Sequence, residues 1–165
     1  EERVDRTEAE AAPPRRKEVG KGRVAYVPAV RFDGPLPEME NYFTIGSRFW
    51  KLPQNWQEIT EAIEWAARGD LPARISGPPY LVANLVAQPD QRRTILHLVN
   101  YHARRGGAVE AVQVSLRLPP GARAKEVTVY SPDTEAPLTL PARVTDAEVS
   151  FTVPAVKVYS VVVVR

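Results

Sequence analysis

The sequence predicts a mainly β protein: an antiparallel, immunoglobulin-like β-sandwich of about seven strands, preceded by a strand-loop-helix segment docked on it. Three observations carry that expectation. From Ser76 onward, short apolar runs alternate with turn signals: "PYLVANLVAQ", "PDQ", "RRTILHLVNYH", "ARRGG", "AVEAVQVSLRL", "PPGA", "KEVTVYS", "APLTL", "AEVSFTV" and "VKVYSVVVV". Val112, Val114, Leu116 and Leu118 alternate with Gln113, Ser115 and Arg117, the period of a strand with one buried and one wet face. Ile95 to Val99 and Val161 to Val164 are apolar on both faces and belong in the middle of sheets.

The elements before the sandwich follow in order. Residues 1–21 form a polar leader, charged and without periodicity. "GRVAYVPAVRF", Gly22 to Phe32, reads as a buried strand begun by a glycine turn. A loop dense in Pro, Gly and aromatics follows, too long to be unstructured. Asn55 is expected as a helix N-cap with Glu58 completing a capping box, and Gly69 and Pro72 provide the stop. At 100° per residue, Trp56, Ile59, Thr60, Ile63, Ala66 and Ala67 share an apolar stripe that must bury against a neighbour. Trp65 then falls among Glu58, Glu61, Glu64 and Arg68, on the face expected to be wet. The domain boundaries are thus 1–21 leader, 22–75 strand, loop and helix, and 76–165 sandwich.

Composition excludes several classes. The chain has 165 residues, 44% hydrophobic and 25% charged, which suits a globular protein with one good core or two small ones. No apolar run approaches the ~20 residues of a membrane helix, so no membrane partner is expected. The net charge is only +2, and the basic clusters Arg15 to Lys17, Arg92–Arg93 and Arg104–Arg105 lack interleaved aromatics, so no nucleic-acid partner is expected either. Without cysteine there is no disulfide, thiolate nucleophile or cysteine-held zinc, and the localisation stays open. Beginning at Glu1 with a polar leader, the chain is expected to be a piece of a longer protein, with any signal peptide and catalytic domain upstream.

Candidate sites are few. Both histidines lie in "RTILHLVNYHARRGG", but on a strand Ile95, His97, Val99 and Tyr101 face one way and Leu96, Leu98, Asn100 and His102 the other. The two imidazoles cannot converge on one metal, and no metal site is expected. His97 and Tyr101 remain a possible polar site, although a histidine bonded at the rim of a core is the plainer reading. Asn100 and His102 stand where polar side chains cap a hairpin end. Glycoside hydrolysis needs two carboxylates ~5 to 10 Å apart in a cleft. Here the acids sit in the leader, on the wet helix face and in turns such as Asp90, Asp133 and Asp146, so no catalytic residue is assigned. "VGKGRV" precedes a strand instead of a helix and is no phosphate cradle. No cofactor follows. Tyr42, Phe43, Phe49, Trp50, Trp56 and Trp65 crowd the loop and helix, while the sandwich has no tryptophan. Trp65, Trp50 and Tyr42 are therefore the candidates for carbohydrate or partner contact, Trp65 being either covered by protein or an open ring that stacks on sugar.

With those residues in view, the chain resembles the C-terminal region of bacterial glycoside-hydrolase-like proteins, including the β-galactosidase type with a glutamine-amidotransferase-like trimerisation domain. "GKGRVAYVP" looks like the late glycine-turn strand of that α/β domain and "LPQNWQEITEAIEWAA" like the helix after it. "ILHLVNY", "VSLRLPPGA", "VTVYSPD", "VSFTVP" and "VYSVVVV" look like the terminal sandwich. The resemblance covers roughly Val19 to Arg165. It implies that residues 22–75 are the remnant of an α/β domain and that the family's catalytic glutamates lie in a barrel outside this chain.

The leading expectation is a non-catalytic accessory module of a carbohydrate-active enzyme. Its partner would be the upstream catalytic domain of the same polypeptide, with self-association possible. The alternatives are a carbohydrate-binding module with an aromatic platform and a small enzyme centred on His97.

Overall fold

The computed structural model describes residues 12–32, 52–118 and 123–165. The chain divides into two compact units, one up to Asp70 and one from Leu71.

In the first unit, strands β1 (Arg15–Val19) and β2 (Gly22–Tyr26) form a two-stranded antiparallel sheet. Gly20 turns the chain at φ 58°, in the left-handed region that costs glycine little. The end of the expected leader is thus half of a hairpin. The strand "GRVAY" pairs with it antiparallel.

The helix runs Trp56–Ala66, as its periodicity predicts. Its start differs from the capping box. Asn55 occupies the N-cap position, but its side chain makes no cap bond and is buried, with Nδ2 donating to the Ala29 carbonyl at 2.9 Å and Oδ1 accepting from the Arg31 amide at 2.9 Å. Glu58 pairs with the Arg31 guanidinium instead of closing the box. The helix ends in a Schellman arrangement: Arg68 N–H donates to the Trp65 carbonyl at 3.1 Å and Gly69 N–H to the Glu64 carbonyl at 2.9 Å. The residue at the left-handed C′ position is Arg68, at φ 55°.

The buried face is rotated from the expected stripe. Ala62 is buried, while Trp56 and Ile63 are 39% and 55% exposed. The helix packs on β2 through the Glu58, Ala62 and Trp65 side, because the ties from Asn55 and Glu58 to residues 29–31 fix which face meets the hairpin.

The second unit is the sandwich. One sheet has the order β3 (Ala73–Ser76), β6 (Val109–Arg117), β10 (Glu148–Val156), β9 (Ala142–Val144). The other has the order β4 (Leu81–Gln88), β5 (Arg93–Asn100), β11 (Tyr159–Val164), β7 (Val127–Tyr130), β8 (Leu138–Thr139). Every pairing in both is antiparallel. All seven expected strands are present, and β3 and β9 are additions. Both are short edge strands, "ARIS" and "ARV", with too few residues to display a period. Because β3 pairs with β6, residues expected in the helical segment belong to the sandwich.

Between the sheets lies a valine-rich core: Leu96 and Leu98 from β5, Val112, Val114 and Leu116 from β6, Val149, Phe151 and Val153 from β10, and Val162 and Val164 from β11. The alternation breaks once. Buried positions run 112, 114, 116 in β6, yet the next is Val109; in β10 they run 149, 151, 153, then Val156. Both strands change phase where Pro154, lacking an N–H, faces Ala111 at φ 51°. The inward face is kept on both sides of the break.

Candidate functional site

Strand alternation gives each sheet an outward face, and the two have opposite chemistry. On the four-stranded sheet, the register aligns Arg74 with Ser115, Ser115 with Ser150 and Ser150 with Arg143, a row crossing all four strands. The adjacent row is Ser76, Gln113 and Thr152, and on the other side Arg117 faces Glu148. Apart from Arg117 and Glu148, which stand beside it, these side chains line most of an open groove of about 840 Å³, with Pro141 and Ala142 at the β9 end. Hydrogen bonds from Ser115 and Ser150 hold the Glu148 carboxyl below the ordinary carboxylate range, the Ser150 Oγ donating at 2.9 Å; Arg74 and Arg143 push the same way. Glu148 is thus an ionised acceptor amid hydroxyls and guanidiniums. Double-displacement or inverting glycoside chemistry needs two carboxyls in a cleft, one of them protonated, and no acid lines this groove among the described residues.

The five-stranded sheet turns outward a row of Val82, Val99 and Tyr159, a row of Asn84, His97, Val161 and Tyr130, and a row of Val86, Ile95, Val163 and Thr128. Val82, Val86 and Tyr130 are 47%, 36% and 41% exposed. His97 sits in the middle of this apolar face. Its Nδ1 is 2.6 Å from the Tyr159 hydroxyl, and the two rings lie nearly parallel. Tyr101, expected beside it, is in the turn beyond β5 and 73% exposed. The partner of His97 is a phenol 62 positions away, which no local spacing could announce.

Asn100 and His102 do brace the hairpin end. The Asn100 amide donates to the carbonyls of Gly107 and Lys157, both at 2.8 Å, and its Oδ1 accepts from the His102 amide at 3.0 Å. The His102 ring stacks on Tyr80 with centroids 4.7 Å apart.

In the first unit, Trp65 is half-buried, with the Arg23 guanidinium 4.9 Å from its ring centroid and that of Arg16 at 5.8 Å. Arg23 is itself steered by Glu18 at 2.8 Å. The indole expected on the wet face therefore already carries two cations, from a hairpin that the polar leader did not suggest. Trp50 and Tyr42 lie outside the described residues. No group of three or more potential metal-ligating acids, histidines or cysteines occurs among the described residues, and none of their helices is long and apolar enough to cross a membrane.

No protein-family profile matches the chain, and no curated protein sequence does. Solved structures do. An α-L-fucosidase isoenzyme 2 from Paenibacillus thiaminolyticus is 22% identical with a TM-score of 0.56, over 67% of this chain and 17% of that one. A cycloisomaltooligosaccharide glucanotransferase of a Paenibacillus species, solved with cycloisomaltoheptaose, is 13% identical with a TM-score of 0.45, over 64% of this chain and 20% of that one. The chain thus spans about a fifth or less of either protein. The likeness to the fucosidase shows the fold: an antiparallel β-sandwich of a kind found within a glycoside hydrolase chain.

Proposed function

We propose that this chain is a non-catalytic accessory module of a carbohydrate-active enzyme, whose five-stranded face packs against the catalytic part of the same polypeptide. The observation that carries this reading is the apolar outer face itself. Val82, Val86 and Tyr130 are exposed in one contiguous patch with Ile95, Val99 and Val161, where a solvated sheet would alternate to polar residues. The fold shared with part of a fucosidase chain, and the resemblance of the sequence to the end of β-galactosidase-type proteins, suit a sandwich appended to a larger enzyme. A His97-centred enzyme has less support, since the close partner of His97 is Tyr159, a phenol that is neither a nucleophile of the usual triads nor a carboxylate.

The test has two arms. The isolated chain, offered a panel of aryl glycosides, should turn over none; turnover abolished by His97→Ala would overturn the non-catalytic reading. In the complete gene product, Val82→Asp with Val86→Asp should release the sandwich to limited proteolysis while glycosidase turnover persists. If that double variant stays as protease-resistant as the parent, the face does not pack on the catalytic part.

A further inference from the structure

The polar groove on the opposite sheet is not used by that packing role, and its chemistry is specific. Together with apolar atoms of the same strands, it is lined by short hydroxyl and amide side chains: Ser76, Gln113, Ser115, Ser150 and Thr152. Each can donate and accept, as a polyhydroxylated ligand requires. The aromatic residue at its wall, Phe151, is 5% exposed and belongs to the core, so the groove offers no ring for a sugar to stack on. At the two ends stand Arg74 and Arg143. They are separated by three strand spacings, about 14 Å at ~4.8 Å each. Guanidinium is the side chain suited to two-pronged recognition of carboxylate. With Arg117, the face carries three guanidiniums against the carboxylates of Glu148 and, further along β6, Glu110.

We infer that the outer face of the four-stranded sheet is a binding groove for an acidic oligosaccharide, with uronate carboxylates meeting Arg74 and Arg143 and sugar hydroxyls meeting the serine, threonine and glutamine side chains. Glu148, beside the groove, disfavours anionic groups near it and leaves them to the ends. A neutral glycan would engage the hydroxyl and amide side chains without using the charge of either arginine. A plain polyanion would engage the arginines and leave the hydroxyl and amide side chains unused. The inference stands apart from the packing role, which uses the other sheet, so either can fail alone.

The experiment is calorimetric titration of the chain with an oligogalacturonate, a neutral galactan oligosaccharide and a polyglutamate peptide of similar length. Saturable binding of the oligogalacturonate is expected, with the neutral sugar and the peptide each at least about tenfold weaker, the worth of one good charge-assisted contact. Added salt should weaken the uronate complex. Arg143→Ala should cost about tenfold, with unchanged melting because Arg143 is an exposed side chain on an edge strand. Arg74→Ala at the far end should act alike, and Glu148→Gln should tighten the complex by removing an opposing charge beside the groove. Equal affinity for the neutral sugar or for polyglutamate, indifference to both arginine substitutions, or no uronate binding at millimolar concentration would each overturn the inference.

Discussion

On one outer surface of the sandwich the sheet turns out Arg74, Ser115, Ser150 and Arg143; on the other it turns out Val82, His97, Val161 and Tyr130. Both surfaces rest on the same core, and in both the inward residues are mostly Val and Leu. Folding therefore fixes the inward half of each strand and leaves the outward half to be set by what lies outside. In a central strand such as β5, a second apolar face does not strengthen a core that is already closed, and it is the face proposed above to meet another body. In β6 and β10 the outward serines, threonine and glutamine serve solubility or a hydrated ligand. One domain can thus carry a dry contact and a wet one back to back.

The largest expected effect removes what the two surfaces share. Leu98→Ala, at a fully buried position facing the opposite sheet, should cost about 3 kcal/mol through lost burial and the cavity left behind. At roughly 4–8 °C per kcal/mol for a domain of this size, thermal melting followed by circular dichroism would fall by more than 10 °C. A loss confined to the apolar surface's binding, with melting unchanged, would mean the surfaces do not depend on a common core.

Asn100→Ala comes next. It strands the carbonyls of Gly107 and Lys157 at the end of the sandwich, and about 2 kcal/mol of stability should go with them. Denaturant titration would register it as a lower midpoint at constant slope. Asn100→Asp should not rescue it, since a carboxylate cannot donate to carbonyls.

The phase break gives a change of opposite sign. Ala111 holds φ 51° opposite Pro154, and Ala111→Gly should relieve strain and stabilise by up to about 1 kcal/mol. A destabilised Ala111→Gly variant would show that the break is held by packing instead of tolerated as strain. Ser160→Ala should also be neutral or stabilising by less than about 1 kcal/mol, because its buried hydroxyl has no partner in the described structure.

The smallest effect distinguishes the wet surface from the dry one. The Glu148 carboxyl is lowered in the folded state, so its contribution is present above the ordinary value of 4.5 and is lost as pH falls through the lower folded value. The stability gap between the parent and Glu148→Gln should therefore be open at neutral pH and close in acid. The parallel substitution His97→Gln, on the dry surface, isolates the contact with the Tyr159 hydroxyl. Equal pH profiles for parent and Glu148→Gln would show that the groove's charges are too solvated to matter.

The sandwich was legible because its cause is local. Alternation with period two separates the two sides of a strand: it set Leu96 and Leu98 on one face of β5 and His97 on the other, and strand pairing decides that the leucines are the buried side. The helix span was legible for the same reason, from its 3.6-residue period and its Gly69 and Pro72 stop. The helix orientation was not, because the stripe through Ile63 loses to ties made 24 and 27 positions away by Asn55 and Glu58. What covers Trp65 was not legible, because the arginines beside its ring come from β1 and β2, and a charged hairpin has no apolar signature.

The groove was the least legible feature. Arg74, Ser115, Ser150 and Arg143 are scattered over four strands, two of them too short to show a period, and only the register of antiparallel pairing aligns them. The sequence by itself determined which residues share a face within each strand, since side chains alternate residue by residue. Only the tertiary structure decided which exposed residues stand together, since a row across a sheet is a property of strand order and register, and these are set by long-range pairing that no single segment contains.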